Sequence, residues 1–364
     1  VRILRTSLAL ALAFSTLVSA GEKKAKNIVL FLGDAGGIPT LHAGSIQAYG
    51  QPNALFIQRM PNIGLSDTSA ANNWVTDSAA GMTAIVTGQK TNNGVISETV
   101  PAAGQTSGAA LKTILEYAEE HGLSTGVVSN SSMADATPAA CYAHAPSRKM
   151  LGEIFAQVWK PRFGDGVDIV FGPGRKAITA ATTALGLNME TELKNKGYFY
   201  GSALKDVPAG TKRAVVLTDD ADFDVTSATN AAIEILSKNP KGFFLMVESD
   251  LHTDKIDRGL GRIPIVDKLV ESTATKLQSN TLVLFTADHS FDLRTVGLAK
   301  GTPYFTPGAD GKPVSNKGVV IQGKHSGEQV LVAATGPGSS RVKGFLVNTD
   351  LFGIMMAAYG WKAD

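Results

Sequence analysis

The stretch Asn27-Ile28-Val29-Leu30-Phe31-Leu32-Gly33-Asp34 decides how this chain folds. Its apolar residues are continuous, with no polar position between them. A strand buried on both faces reads this way, whereas a half-exposed strand alternates. The run ends in an acid and then Ala35-Gly36-Gly37, a turn. Comparable units recur at 124–130, 167–171, 242–248, 281–288 and 330–336. Helical patterns lie between them. Leu111, Ile114, Leu115 and Ala118 share one apolar face, with Gly122 as a stop. Residues 226–238 and 264–278 read the same way, the second with Pro264 in its first turn, and Thr349 is placed to cap a last helix ending at Gly360. Strands alternating with helices predict an α/β fold, a three-layer sandwich with a mainly parallel central sheet and helices on both faces.

The chain has 364 residues, 44% of them hydrophobic and 18% charged, which supplies ample core. A net charge of +2 gives no electrostatic ground for nucleic-acid binding or for an acidic membrane surface. Val1-Arg2-Ile3-Leu4-Arg5 is a basic start, residues 8–18 are a short apolar run, and Val18-Ser19-Ala20 suits signal peptidase. Residues 1–20 are therefore expected to be a signal peptide, and the mature protein to be periplasmic or secreted. No later run is long enough to span a bilayer. Cys141 is the only cysteine, so no internal disulfide can form, and it is expected to be a small buried residue.

In Val75-Thr76-Asp77-Ser78-Ala79-Ala80-Gly81-Met82-Thr83-Ala84 a serine follows an acid and precedes small residues that read as an opening helix. Ser78 would stand at a helix N-terminus, where free N–H groups and the dipole favour an anion such as phosphate. The adjacent acid is badly placed to be its base, whereas a bound metal ion can lower the hydroxyl's pKa. Asp-Ser-Ala alone is also a common helix cap. The acids at strand ends give it weight, because open α/β sheets bind ligands beyond the C-terminal ends of their strands. Asp34, Glu248 and Asp288 each end a strand, and Thr137 lies shortly after another. Asp288-His289 offers one oxygen and one nitrogen, a pair that zinc accepts. His325, in Gly323-Lys324-His325-Ser326-Gly327, sits in what reads as a polar loop. Asp34, Thr137 and Glu248 offer only hard oxygens, which suits magnesium. The segment 135–148 adds Arg148, whose planar fork can grip two phosphate oxygens, and His144, which reads as structural.

These residues resemble the alkaline phosphatases from Asn27 to about Gly360. The resemblance rests on 27–34, Thr76-Asp77-Ser78-Ala79-Ala80, Thr87-Gly88-Gln89-Lys90-Thr91-Asn92-Asn93-Gly94, Asp135-Ala136-Thr137-Pro138-Ala139, Val247-Glu248, Thr286-Ala287-Asp288-His289 and His325-Ser326-Gly327. It implies that 21–364 form one catalytic domain of a phosphomonoesterase using two zinc ions and one magnesium ion. Ser78 would be the nucleophile, held by the second zinc with Asp34, Asp288 and His289. Asp34 would bridge to magnesium, completed by Thr137 and Glu248. Arg148, oriented by Asp77, would hold the phosphoryl oxygens, with Asp135 and Lys255 flanking the phosphate. His325 would bind the first zinc. Small phosphate monoesters would be the substrates. The chain is short for the family, which trims the surface available to a homodimer.

One departure matters. The family places an aspartate and, four residues later, a histidine on the first zinc. Here the run is Glu248-Ser249-Asp250-Leu251-His252-Thr253-Asp254-Lys255-Ile256-Asp257-Arg258, and Arg258 stands where the histidine should be. Arginine stays protonated and cannot ligate a metal. His252 is expected to substitute, with Asp250 or Asp254 supplying the carboxylate. Two other readings compete: a phosphodiesterase or sulfatase on the same metal scaffold, and a non-catalytic periplasmic protein that captures an anion. The second has no reason to carry Asp288-His289 and His325.

Overall fold

Strand β1 (Asn27–Asp34) is buried at every position and lies inside a ten-stranded sheet. The computed structural model describes residues 23–362 apart from Ala221 and Gln278, so the expected signal peptide lies outside the described residues. After β1 come α1 (Ile38–Tyr49), β2 (Asn62–Asp67), α2 (Ser78–Thr87), α3 (Ile114–Glu120) and β3 (Ser124–Ser129). Helices α4 (Ala136–Tyr142) and α5 (Leu151–Ala156) lead to β4 (Ile169–Pro173), then α6 (Arg175–Ala184), α7 (Met189–Asn195), β5 (Phe199–Gly201) and β6 (Ala214–Thr218). Helix α8 (Val225–Leu236), β7 (Phe243–Asp250), α9 (Ile256–Leu277) and β8 (Thr281–Thr286) follow. The last part holds β9 (Ser290–Thr295), β10 (Phe305–Pro307), β11 (Pro313–Ser315), β12 (Val319–Ser326), β13 (Val330–Thr335), β14 (Gly344–Val347) and α10 (Asp350–Tyr359).

The sheet order is β14-β2-β13-β8-β1-β7-β3-β4-β6-β5. Every neighbouring pair is parallel except those of β13, which runs against both β2 and β8. Alternate residues of β1 enter two separate cores. Ile28, Leu30 and Leu32 pack with Met82, Ile114, Ala139 and Met355 of α2, α3, α4 and α10. Val29 and Phe31 pack with Leu41, Ala232 and Leu260 of α1, α8 and α9. That alternation is the three-layer sandwich expected from the continuous apolar run.

Three local expectations change. The strand at 330–336 is present as β13 but runs antiparallel to both its neighbours, arriving from a β arm rather than from the helix that usually returns a chain parallel. Helix α9 starts at Ile256 and runs through Pro264 instead of starting there. Buried Ile256, Leu260 and Ile263 extend its apolar face upstream, and that burial outweighs the backbone donor that proline lacks. His325 lies not in a loop but on β12, which pairs antiparallel with β9 and is bulged between Ile321 and His325, where Gly323 has φ +68°. Among the described residues no helix is long and apolar enough to cross a membrane.

Candidate metal and phosphate site

Strand β1 lies between β7 and β8, and parallel pairing brings their C-terminal ends to one edge. Leu32 is opposite Glu248 and Asp34 opposite Asp250, while Asp288 and His289 follow β8 directly. The turn after Asp34 puts Ala35 at φ 62°, a conformation a side chain resists. That turn aims the Ala35 N–H at Asp288 Oδ1, 3.4 Å away.

Asp34, Asp288 and His289 are buried, and their donor atoms lie within 4.8 Å of one another. His289 Nδ1 donates to the Ser290 carbonyl at 3.1 Å, which leaves Nε2 facing Asp34 Oδ1 at 3.3 Å and Asp288 Oδ2 at 3.5 Å. Apart from that shared nitrogen, neither Asp34 Oδ1 nor Asp288 Oδ2 has a hydrogen-bond partner among the described residues. A buried carboxylate oxygen without a donor costs free energy unless a cation meets it, so this donor set fits a divalent metal.

Charge makes the same case. Burial alone would raise the pKa of Asp34, but the hydrogen bond and charge of His289 overcome it and hold Asp34 below the usual carboxylate range. Burial and then the Asp34 charge push Asp288 up to about 6. Burial and then Asp34 also push Glu248 upward. For His289, burial opposes the charge, yet Asp288 and Asp34 raise it to about 9. Carboxylates this close repel one another and draw positive charge to the one nitrogen they share.

A second cluster adjoins the first. Donor atoms of His252, His289 and His325 also fall within 4.8 Å of one another. His325 stacks on His289 with ring centres 3.6 Å apart, and its Nδ1 donates to the Thr76 carbonyl at 3.0 Å. Burial, followed by the His289 charge, lowers its pKa and keeps the ring neutral, the form that ligates metal. His252 joins this cluster; Arg258 instead lines a separate cavity of about 460 Å3 with Asp222, Asp224 and Arg262. Of the two carboxylates expected beside His252, Asp250 is the one present, with Oδ1 2.9 Å from His252 Nδ1. Asp254 and Lys255 are exposed on the wall of a neighbouring cleft and do not join the donor groups.

Ser78 is the first residue of α2 and is buried, its hydroxyl 3.3 Å from His289 Nε2 and 3.5 Å from Asp34 Oδ2. Asp77 caps the helix by accepting the Ala80 N–H at 3.1 Å, and it also accepts the Gly94 N–H at 2.9 Å. Arg148 lies between two acids, with Nη1 3.2 Å from Asp77 Oδ2 and Nη2 2.8 Å from Asp135 Oδ1. Burial works against its charge, but Asp135 and Asp77 outweigh burial and raise its pKa further. Asp135 caps α4 through the Ala136 N–H at 2.8 Å, and Thr137 is buried in the first turn of that helix. His144 is structural: its ring bridges Glu116 and the Ser97 carbonyl, 2.8 Å from each. Cys141 is buried and free.

Sequence reasoning missed four supports. Arg262 grips Asp250, the Ser129 hydroxyl donates to Glu248, and Asn130 Oδ1 accepts the Asp250 N–H at 2.8 Å. Asn93 takes the Asp77 N–H at 3.1 Å and donates to the Val75 carbonyl at 3.0 Å, bracing the serine turn. The only advance signal was for Asn93, which falls in the 87–94 motif.

A family model described as alkaline phosphatase matches residues 25–313. The chain is 30% identical to the alkaline phosphatase of Escherichia coli, over 94% of this chain and 88% of that protein. It is 28% identical to alkaline phosphatase H of Pseudomonas aeruginosa, over 92% of this chain and 85% of that protein. The solved alkaline phosphatase from the Antarctic bacterium TAB5 superposes with a TM-score of 0.76 at 26% identity, covering 94% of this chain and 100% of that one. A mutant of that enzyme, solved with Mg bound in its M3 site, superposes with a TM-score of 0.77 at 27% identity over the same shares.

Proposed function

This chain belongs to the alkaline phosphatase family and is a phosphatase, and from that premise we propose that it hydrolyses phosphate monoesters through a phosphoserine formed on Ser78. The single observation that carries the reading is the buried Ser78 hydroxyl, set against His289 and Asp34 where two buried carboxylate oxygens share a single imidazole nitrogen.

We infer that Asp34, Asp288 and His289 hold one zinc ion, and that His252 and His325 hold the other, with Asp250 as the carboxylate beside His252. Asp34, Thr137 and Glu248 would hold magnesium through oxygen alone, a reading supported by the Mg-bound relative. Bound there, such ions lower the serine's pKa and neutralise the charge that gathers during phosphoryl transfer. Ser78 Oγ then attacks phosphorus as the ester oxygen leaves, and water cleaves the phosphoserine to free inorganic phosphate. Arg148, fixed by Asp77 and Asp135, presents its remaining N–H groups to two phosphoryl oxygens. The N-terminus of α2 adds its dipole. Lys255 is exposed on the neighbouring cleft, and its place beside the phosphate remains part of this proposal.

The forked cation and the all-oxygen triad favour a monoester dianion over a diester or sulfate monoanion. Residues 1–20 are read as an export signal, so the enzyme would work in the periplasm or outside the cell, releasing phosphate from small organic esters. The test is phosphate release from a chromogenic monoester beside the matching diester and sulfate, with and without chelator. Monoester turnover that needs metal and disappears in Ser78→Ala is the expected result. Turnover surviving Ser78→Ala would overturn the phosphoserine.

A further inference from the structure

Helix α2 ends at Thr87, yet by Asn93 the chain has run back to the helix's N-terminus and meets the turn that carries Ser78. Asn93 Oδ1 accepts the Asp77 N–H at 3.1 Å and lies 3.5 Å from the Thr76 hydroxyl. Its Nδ2 donates to the Val75 carbonyl at 3.0 Å. One half-buried amide thus holds Val75, Thr76 and Asp77 directly before the serine, and an amide suits the place because it accepts and donates at once. The Asn93 backbone N–H is itself held by Asn72 Oδ1 at 3.0 Å.

Each held residue serves a different part of the site. The turn delivers the Ser78 hydroxyl to Asp34 and His289. The Thr76 carbonyl accepts from His325 Nδ1 at 3.0 Å, so the same turn orients an imidazole of the histidine cluster. Asp77 Oδ2 accepts the Gly94 N–H at 2.9 Å and faces Arg148 Nη1 at 3.2 Å. Gly94, at φ +85°, turns its N–H to Asp77 and its carbonyl to the Arg148 N–H, 2.7 Å away.

Serine, arginine and histidine reach the site from distant parts of the chain, and the contacts of Asn93 and Gly94 are where all three are set against one another. Resting on the phosphomonoesterase reading, we propose that Asn93 is a positioning residue for the reaction. It acts through the 75–77 backbone rather than on the reacting atoms, and it holds the Ser78 hydroxyl, Arg148 and the His325 ring in one register.

The experiment compares wild type, Asn93→Ala and Asn93→Asp, each loaded with zinc and magnesium. It measures kcat and KM on a chromogenic phosphate monoester, metal retained against a graded chelator, and thermal melting. Asn93→Ala removes every side-chain contact to the turn and should lower kcat/KM about ten- to a hundredfold, since misplacing a reacting group by about 1 Å costs on that order. It should also release one metal equivalent at about tenfold lower chelator, the effect of a lost outer partner. Asn93→Asp keeps an oxygen for the Asp77 N–H but loses the donor to Val75, so it should fall between. Melting should stay within a few degrees of wild type in both.

Wild-type kcat/KM in Asn93→Ala, or lost activity with unchanged metal retention, would overturn the proposal. Losses that only follow the melting temperature would overturn it too, making Asn93 a residue of the fold alone. The chelator series needs no turnover. A wild type that releases no phosphate therefore ends the phosphomonoesterase reading, while the series still decides whether Asn93 ties the serine turn to the histidines.

Discussion

Arg262 grips Asp250 twice, with Nη1 2.8 Å from its Oδ2 and 3.0 Å from its carbonyl oxygen. That leaves Oδ1 to face His252, 2.9 Å from Nδ1 and 3.1 Å from the backbone N–H. Helix α9 thereby fixes the end of β7 and, through it, the orientation of the His252 imidazole. Outer partners of metal ligands typically hold about 10–100-fold in metal affinity. Arg262→Met should weaken one metal equivalent by about that factor, read as metal retained against a graded chelator, while Arg262→Lys should fall between. Identical retention in all three proteins would mean that Asp250 needs no support.

His252 and Arg258 compete for one role, and metal content separates them. His252→Ala should lose one equivalent of metal while the Asp34–Asp288–His289 cluster keeps its own. Arg258→Ala should leave the stoichiometry intact, since Arg258 lines a different cavity. Full zinc content in His252→Ala would remove it from the ligand set.

Asp77 carries two loads at once, capping α2 and holding Arg148. Asp77→Ala should cost about 0.5–2 kcal/mol in thermal or denaturant unfolding from the lost cap. It should also cost about tenfold or more in kcat/KM, the worth of a charged hydrogen bond. Asp77→Asn keeps an acceptor at the cap and should restore most of the stability but less of the activity. Equal losses of both kinds in the two variants would tie Asp77 to the fold alone.

Away from the site, Glu119 predicts a slope in stability with pH. Its carboxyl accepts the Gly166 N–H at 3.0 Å and the Thr125 hydroxyl at 3.2 Å. Burial, joined by the charges of Asp165, Glu116 and Asp168, outweighs the Gly166 bond and pushes it up to about 8, against 4.5 for a free glutamate. Between those values the folded chain keeps a proton that the unfolded chain has released. Stability from this group is therefore fullest at low pH and declines as pH rises through that window. Glu119→Gln should flatten the melting temperature measured from about pH 5 to pH 8. Parallel profiles for the two proteins would show that Glu119 is ionised in the fold.

The body of the sheet was legible because β1, β7 and β8 carry unbroken apolar runs and β3 and β4 shorter ones, and burial on both faces leaves that mark. Strands β2, β5 and β14 were not, since their burial is partial and carries no sustained run. Strand β6 is buried yet short, and it follows a charged stretch that hides it. Asp34, Glu248 and Asp288 were legible for a related reason: parallel strands end on one edge, so acids closing separate runs meet. Choosing Asp250 over Asp254 needed the register of β7 against β1. Arg262 and Ser129 act only because segments distant in sequence pack together, and no local pattern announces such a partner.

The pairing of β1 with β8 joins Ala35 to Asp288, 253 positions apart, and His325 arrives later still from its own arm. Contacts of such high order form late and slowly, because a long loop must close before any of them stabilises the chain. No early intermediate can offer the complete donor set, so cations that bind it select the finished sheet and stabilise it by mass action. Ions bound there would act in this sense as a clasp on the folded state. On the proposed mechanism a chain folding where metal is scarce would lack its catalyst and its fastening together, and chelation should expose it to proteolysis as well as silence it.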